Sequence, residues 1–365
     1  MSGLAGLRVS ELKEKAMRLP VTSYQSPVQE ATGNRRLETG DWKPCNSRRT
    51  DKGSILIIVL WALFFLASLA VALNRYIWPR LDLAGNLIRR AKIHYLAEAG
   101  VKRAILEIKY DEDTSYDALN EPWAGLAERL EETELGDGIF TVELIDEERK
   151  ININKAPLLV IKNVFEIMGE AASQDASDLA AAVVDWRDED DDPGEGGAED
   201  GYYFVHKCAY PCKNAEFEIL EELLLVKGMT QEVFNKVKDS ITVHGGDAVN
   251  INTAEVPVLQ ALGMEEELIE KVIHFRNGYD GEEATADDNV FDDAGTIAKT
   301  LGEKERMTGA DNSRILKLVG DGLLSVGSDN FQGSSIGQLS NGRGSVKISF
   351  VFDRRKNAVT CWREE

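Results

Sequence analysis

The feature that most constrains this chain is an apolar run of 21 residues, Gly53–Leu73, without a charged side chain. In an α-helix such a run is about 31 Å long, which matches the hydrocarbon thickness of a bilayer. A buried core helix is rarely apolar on every face over this length. The run therefore predicts a membrane-spanning helix. Arg48, Arg49 and Lys52 just before it place its N-terminal side in the cytoplasm, so that the remainder is exported.

The flanks of the run distinguish three kinds of N-terminal segment. A secretory signal peptide is disfavoured, because the run is too long and Asn74-Arg75-Tyr76 is a poor exit for cleavage. A plain signal anchor stays open. The Lys52-Gly53 pair before the run resembles a prepilin leader, which is cut on the cytoplasmic side after the glycine. Such cleavage between Gly53 and Ser54 leaves Ser54 as the mature N-terminus.

The charge balance argues against nucleic acid as a partner. The chain has 63 Asp and Glu against 42 Lys and Arg, a net charge of −21. An acidic surface of this strength repels phosphate.

The sequence also contains no Gly-x-Ser-x-Gly, no His-Glu-x-x-His and no phosphate-binding loop, and its four His are scattered. We therefore expect a protein that is not an enzyme.

Alternating apolar residues predict an antiparallel sheet. Ile139–Ile145 follows the turn Gly136-Asp137-Gly138 and is expected to pair with Lys150–Asn154 as a hairpin. Near the C-terminus, Ser345–Phe352 and Ala358–Trp362 alternate in the same way, and both are expected to complete the same sheet.

An internal repeat follows the first strand. The motif at Ile151–Leu159 recurs at Val249–Ala254, and its Asn and Thr residues are expected to cap helices and turns. The repeat also resembles helix-hairpin-helix proteins, including membrane-tethered DNA receptors. Such a hairpin needs a glycine-rich turn facing phosphate. The turn here, at 262–267, has one glycine and three glutamates, so DNA binding is disfavoured.

Residues 185–200 form an acidic loop with nine acidic residues and one Arg. A solvated acidic surface is the ordinary interpretation of such a run. The candidate metal ligands are Asp188, Asp190, Asp192, Glu199 and Asp200. The first four fall on positions 1, 3, 5 and 12 of a calcium loop, and oxygen ligands favour Ca²⁺ over Zn²⁺. Position 6 is Pro193 rather than glycine, so a standard EF-hand is excluded.

Cys208 and Cys212 are the close cysteine pair of the exported part. They could form half of a zinc site, but further ligands are missing. In an exported domain a local disulfide between them is favoured.

Taken in order, these motifs resemble the K-type minor pseudopilins of type II secretion systems over nearly all of residues 48–365. The motifs that carry the resemblance are the apolar helix after Lys52-Gly53, Tyr95–Gly100, Ile151–Asn154, Asp185–Asp190, Gly197–Asp200, Val226–Met229 and Val249–Ala254. The long leader, the Cys208 and Cys212 pair and the Gly/Ser-rich stretch 325–344 depart from the family pattern.

The resemblance implies an α+β fold in which a pilin-like transmembrane and spine helix packs on an antiparallel sheet, interrupted by an inserted all-α domain. The implied segments are a cytoplasmic leader at 1–53, the transmembrane and spine helix at 54–110, a first pilin-like part at 111–154, the inserted helical domain with its acidic loop at 155–248, and a second pilin-like part at 249–365. It also implies structural calcium in the acidic loop, cleavage by a prepilin peptidase, and methylation of the new N-terminus.

The implied location is the inner membrane, with a single pass and a periplasmic C-terminal domain that reaches the pseudopilus tip after assembly. Implied partners are the other minor pseudopilins, the major pseudopilin, the secretin and exported substrate. The fifth residue after the cleavage site is Ile58, where most pilins carry a Glu that pairs with a neighbour's N-terminal amine. A subunit without that carboxylate fits the tip. A membrane-tethered DNA receptor and a minor pilin of a type IV pilus are the alternatives.

Overall fold

The computed structural model describes residues 54–111, 113–205, 209–342 and 344–365. The leader and Gly53 therefore lie outside the described residues. Residues up to Ala72 and residues from Leu73 are separate compact units, and each is described by itself. Helix α1 spans Ser54–Lys109. Within the first unit, every side chain of α1 from Ile55 to Ala72 is exposed.

The second unit contains a five-stranded antiparallel sheet in the order β1-β2-β7-β8-β9. Its strands are β1 (Thr133–Leu135), β2 (Gly138–Asp146), β7 (Asn330–Leu339), β8 (Ser345–Asp353) and β9 (Ala358–Glu364). The sequence predicted β2, β8 and β9. The expected hairpin partner of β2 is wrong, because β2 pairs along its whole length with β7, from Gly138 opposite Leu339 to Asp146 opposite Phe331.

One face of the sheet packs against α1. Ala97, Val101, Ala104 and Ile108 recur at helical spacing and are buried against Phe140 of β2 and its neighbours on β7 and β8. The approach is close at Gly337 of β7, where a Cβ would lie 2.4 Å from both the Ala97 nitrogen and the Ile93 oxygen. Small residues on both elements therefore set the distance between helix and sheet.

Between β2 and β7 the chain builds a helical domain, residues 151–326. Helix α2 (Leu126–Arg129) lies before β1 and outside this domain. The α-helices of the domain are α3 (Leu158–Asn163), α4 (Ser173–Arg187), α5 (Asp200–Tyr203), α6 (Gln231–Val237), α7 (Val256–Ala261), α8 (Glu266–Arg276), α9 (Ile297–Lys304) and α10 (Gly309–Gly320). Shorter 3₁₀ segments are Glu147–Arg149, Leu220–Leu225 and Ala294–Thr296, and Val164–Met168 is π-helical.

Each copy of the internal repeat contributes a two-residue parallel pair of strands. In the first copy β3 (Ile151–Asn152) pairs with β4 (Ile241–Thr242), and in the second β5 (Val249–Asn250) pairs with β6 (Leu324–Ser325). A single buried apolar cluster contains residues of both copies. The domain boundary expected at residue 248 is therefore wrong, since the helices after β5 share the core of those before it and the sheet resumes only at β7.

Candidate metal centre

The acidic loop runs from the end of α4 to the start of α5, and Arg187 at the end of α4 fixes where it begins. The Arg187 guanidinium donates to the carbonyl oxygens of Ile153 and, at 2.7 Å, Ala156. Both acceptors belong to the first copy of the repeat. The repeat therefore positions the loop relative to the core of the helical domain.

Two side chains hold the glycine-rich part of the loop. The Asp185 carboxylate accepts the backbone N–H groups of Gly194 at 3.1 Å and Ala198 at 2.7 Å. From the opposite side, Lys227 Nζ donates to the carbonyl oxygens of Gly196 at 3.0 Å and Gly197 at 2.9 Å. Sequence reasoning gave Lys227 no role, because a single lysine beside a glycine carries no signal of what it binds.

The folded loop brings three of the five predicted ligands together. Carboxylate oxygens of Asp188, Asp190 and Glu199 all lie within 4.8 Å of one another. Glu199 is only 5% exposed, and neither of its oxygens accepts a hydrogen bond from the described part of the chain. Asp188 Oδ1 is buried without such a partner as well. A buried carboxylate without a donor is costly, so the arrangement fits a bound cation.

Burial explains the electrostatics of the cluster. It raises the pKa of Glu199 to about 7, the Cys212 thiol beside the carboxylate opposes the rise, and the nearby carboxylates of Asp185 and Asp188 add to it. Burial and the Asp190 charge raise the pKa of Asp188 in the same direction. Oxygen ligands at these separations suit Ca²⁺, whose bonds to oxygen are about 2.4 Å long. Asp188, Asp190 and Glu199 would hold the ion, and the charge of the ion would replace the missing donors.

The other two predicted ligands lie outside this group. Asp192 is exposed, and its backbone N–H donates to Asp190 Oδ1 at 2.9 Å. Asp200 Oδ1 accepts the backbone N–H of Cys212 at 2.7 Å, which ties the start of α5 to the following segment. The structure thus gives Asp200 a role in loop packing.

The predicted disulfide between Cys208 and Cys212 stays a prediction, because the structure describes only Cys212 of the pair. Cys212 has a free, buried thiol whose sulfur lies 3.7 Å from the Asp185 carbonyl oxygen and 4.0 Å from that of Ala198. Burial raises the pKa of this thiol to about 12. Cys212 therefore packs as a neutral core residue, and Cys208 lies outside the described residues.

The second copy of the repeat provides an internal comparison. Arg276, at the end of α8, donates to Ile251 O and Ala254 O as Arg187 does in the first copy. Arg276 also bonds Glu283 in the acidic segment that follows, at 2.6 Å. In that segment Asp287 accepts backbone N–H groups of its own loop. Its charge is compensated by protein donors, in contrast to Glu199.

Known proteins resemble part of this chain in sequence. Residues 140–246 match the family model for type II secretion system protein K. Relatives of the same description are 29% identical over 49% of the chain in Pseudomonas aeruginosa and 28% identical over 33% of the chain in Pectobacterium carotovorum. Over these residues the chain is similar to type II secretion system protein K. The matches cover 58% and 38% of these two relatives.

A chain in a solved structure of a secretion-system complex has a similar fold. The match is to the crystal structure of the GspK-GspI-GspJ complex of enterotoxigenic Escherichia coli, with a TM-score of 0.58 and 18% identity. It covers 79% of this chain and 99% of the other. The α+β fold class is thereby confirmed. The family match begins in β2 and ends just after β4, so it contains the acidic loop.

Proposed function

We propose that this chain is a minor pseudopilin that starts or caps the pseudopilus tip of a type II secretion system. Two structural features together support this proposal. The first part of α1 is long and apolar enough to cross a membrane. The later part of α1 packs on the sheet, in a unit that contains an inserted helical domain. The family match supports the same role. The protein acts as a scaffold, not as an enzyme.

The proposed location is the inner membrane, with residues 54–73 in the bilayer and the sheet and helical domain in the periplasm. The uncharged run and the basic residues before it support this orientation. Ile58 at the fifth mature position supports a place at the tip, since it offers no carboxylate to a neighbour's amine.

The proposed partners are two other minor pseudopilins, by analogy with the E. coli complex of GspK with GspI and GspJ. An exposed apolar stretch of α1 supports helix-to-helix packing. Leu81, Leu83, Leu87 and Ile88 are each about 60% exposed. Such a stretch is unusual on a soluble surface and typical of an interface.

The proposed cofactor is one structural Ca²⁺ in the acidic loop, held by Asp188, Asp190 and Glu199. The two buried, unbonded oxygens of Glu199 support it. The ion would fix the loop between α4 and α5 within the helical domain.

A secretion assay tests the function. The full chain is expressed in its own host lacking the native gene, and export of a secreted enzyme is measured. We expect export to be restored, and the two minor pseudopilins to co-purify with the chain. Leu83→Asp with Leu87→Asp should abolish both results, while Lys299→Glu on the exposed face of α9 should leave them intact. Full export without the gene, or co-purification unaffected by the double substitution, would contradict the proposal.

A further inference from the structure

A second group of carboxylates lies outside the acidic loop, just after α1. Carboxylate oxygens of Asp111, Asp117 and Glu121 lie within 4.8 Å of one another. Asp117 Oδ2 accepts the backbone N–H of Ser328 at 2.7 Å, and Asp117 Oδ1 accepts from Arg354 in the turn between β8 and β9. The group therefore lies where the segment after α1 meets the sheet.

Asp111 is the member that points to a missing ligand. Its side chain is only 7% exposed, and its Oδ2 is buried without a hydrogen bond from any residue that the structure describes. The nearest cationic nitrogen, Arg354 Nη1, lies 3.5 Å away as an ion pair, outside hydrogen-bond geometry. A carboxylate oxygen that loses water without gaining a donor is costly.

The charge of the group is not balanced by its protein neighbours. Three carboxylates face one guanidinium, which leaves two negative charges when all are ionised. Glu121 Oε2, in contrast, has hydrogen-bond donors: it accepts from the Ala118 backbone N–H at 2.8 Å and from Trp123 Nε1 at 2.9 Å. Burial raises the pKa of Asp111 and Glu121, and that of Asp117 to about 7, although Arg354 opposes the rise at Asp117.

We infer that Asp111, Asp117 and Glu121 bind a second divalent cation of the calcium type. The ligands are all carboxylate oxygens, which hard cations prefer, and no two of them lie farther apart than two calcium–oxygen bonds of about 2.4 Å can span. A dication neutralises the two excess charges and gives Asp111 Oδ2 its partner. Arg354 and Trp123 orient Asp117 and Glu121. The ion thereby ties the segment after α1 to the sheet.

Counting ions on the full-length protein in detergent tests this inference. Native mass spectrometry at 1 mM calcium should find two ions on the wild type and one on Glu199→Gln. Asp111→Asn and Glu121→Gln should each retain only the loop ion, and Glu199→Gln combined with Asp111→Asn should bind none. Asp113→Asn is the matched control, because its carboxylate is exposed and bonds only Ser115 in its own turn.

Terbium luminescence gives a second measurement, because it reports whether the bound ion lies close to a tryptophan. Trp123 contacts Glu121, so Tb³⁺ bound to Glu199→Gln should luminesce when tryptophan is excited, and the further change Asp111→Asn should abolish that signal. Circular dichroism confirms that each variant is folded. An unchanged ion count in folded Asp111→Asn, or no ion on folded Glu199→Gln, would overturn the inference. A wild type that binds one ion, kept in Glu199→Gln and lost in Asp111→Asn, would contradict the proposed calcium loop and leave this second site standing.

Discussion

Asn152 and Asn250 make the same turn in the two halves of the helical domain. The side-chain oxygen of Asn152 accepts the backbone N–H of Asn154 at 2.9 Å, and that of Asn250 accepts the N–H of Asn252 at 3.0 Å. The second Asn of each pair then bonds two carbonyls and one N–H of distant segments. The repeated motif is thus a buried hydrogen-bonding unit.

Replacing Asn252 with alanine should destabilise the fold strongly. The change leaves the carbonyls of Phe291 and Val326 and the N–H of Phe291 without their partner in the core. Since each unsatisfied buried group costs about 1–3 kcal/mol, we expect a loss of about 3 kcal/mol or more. Thermal unfolding followed by circular dichroism measures it. Asn312→Ala is the control, because Asn312 is only half-buried and its side chain bonds only the carbonyl of Thr308, the N-cap of its own helix. Equal melting temperatures for the two variants would contradict this role.

Gly197 should tolerate no side chain. A Cβ there would lie 1.9 Å from Asp185 Oδ2, the atom that accepts the Ala198 N–H. Gly197→Ala should therefore displace Asp185, lower the melting temperature and weaken calcium binding at least tenfold in a calorimetric titration. Gly201→Ala is the matched control, since nothing lies within 4 Å of its added Cβ. Wild-type calcium affinity in Gly197→Ala would show that the loop does not depend on this packing.

Calcium binding by the loop should depend on pH. The pKa of Glu199 is raised to about 7, so a proton competes with the ion below that pH. For one displaced proton, affinity should fall about 25-fold from pH 7.5 to pH 5.5. Titrations at several pH values measure this slope. A flat profile would contradict the role of Glu199, and the loop of Glu199→Gln should bind calcium weakly at every pH.

The Glu199 carboxyl also determines how the stability of the calcium-free protein depends on pH. Its folded pKa of about 7 exceeds the ordinary value of 4.5, so the fold binds the proton more tightly than the unfolded chain does. Without calcium, this group should therefore reduce stability as the pH rises from about 4.5 to 7. Melting temperatures of wild type and Glu199→Gln in a chelator should diverge over this range. Parallel curves would contradict the raised pKa.

A side chain at Gly337 should push helix α1 away from the sheet locally and destabilise the fold. The added Cβ would lie 2.4 Å from two backbone atoms of α1, which cannot move as a side chain can. We expect Gly337→Ala to cost about 1–3 kcal/mol, as overpacking does. Gly320→Ala, at the end of α10 with nothing within 4 Å, is the control. Similar melting temperatures for the two variants would contradict the close approach.

The sequence predicted elements better than it predicted their partners. The alternation at Ile139–Ile145 identified β2, but a period of two residues does not say which strand lies alongside. β7 was missed, because its glycines and serines resemble a loop. The structure shows that its small residues are needed under α1, where Gly337 contacts helix backbone.

Ligand spacing in the acidic loop predicted part of the site. Asp188, Asp190 and Glu199 do come together, whereas Asp200 bonds the N–H of Cys212. That contact depends on a segment twelve residues away, which spacing alone does not reveal. The Asp111 cluster could not be predicted either, because Arg354 and Ser328 reach it from more than 200 residues along the chain.

The most direct test of the central claim, that this chain is a pseudopilin, is its intact mass after expression with and without a prepilin peptidase. The full chain is extracted from membranes in both cases, and Gly53→Leu serves as the control that should resist cleavage. We predict that only the peptidase removes residues 1–53 and leaves Ser54 first, with a further 14 Da where the N-terminus is methylated. An uncut chain in the presence of active peptidase would contradict the claim and make this a signal-anchored protein.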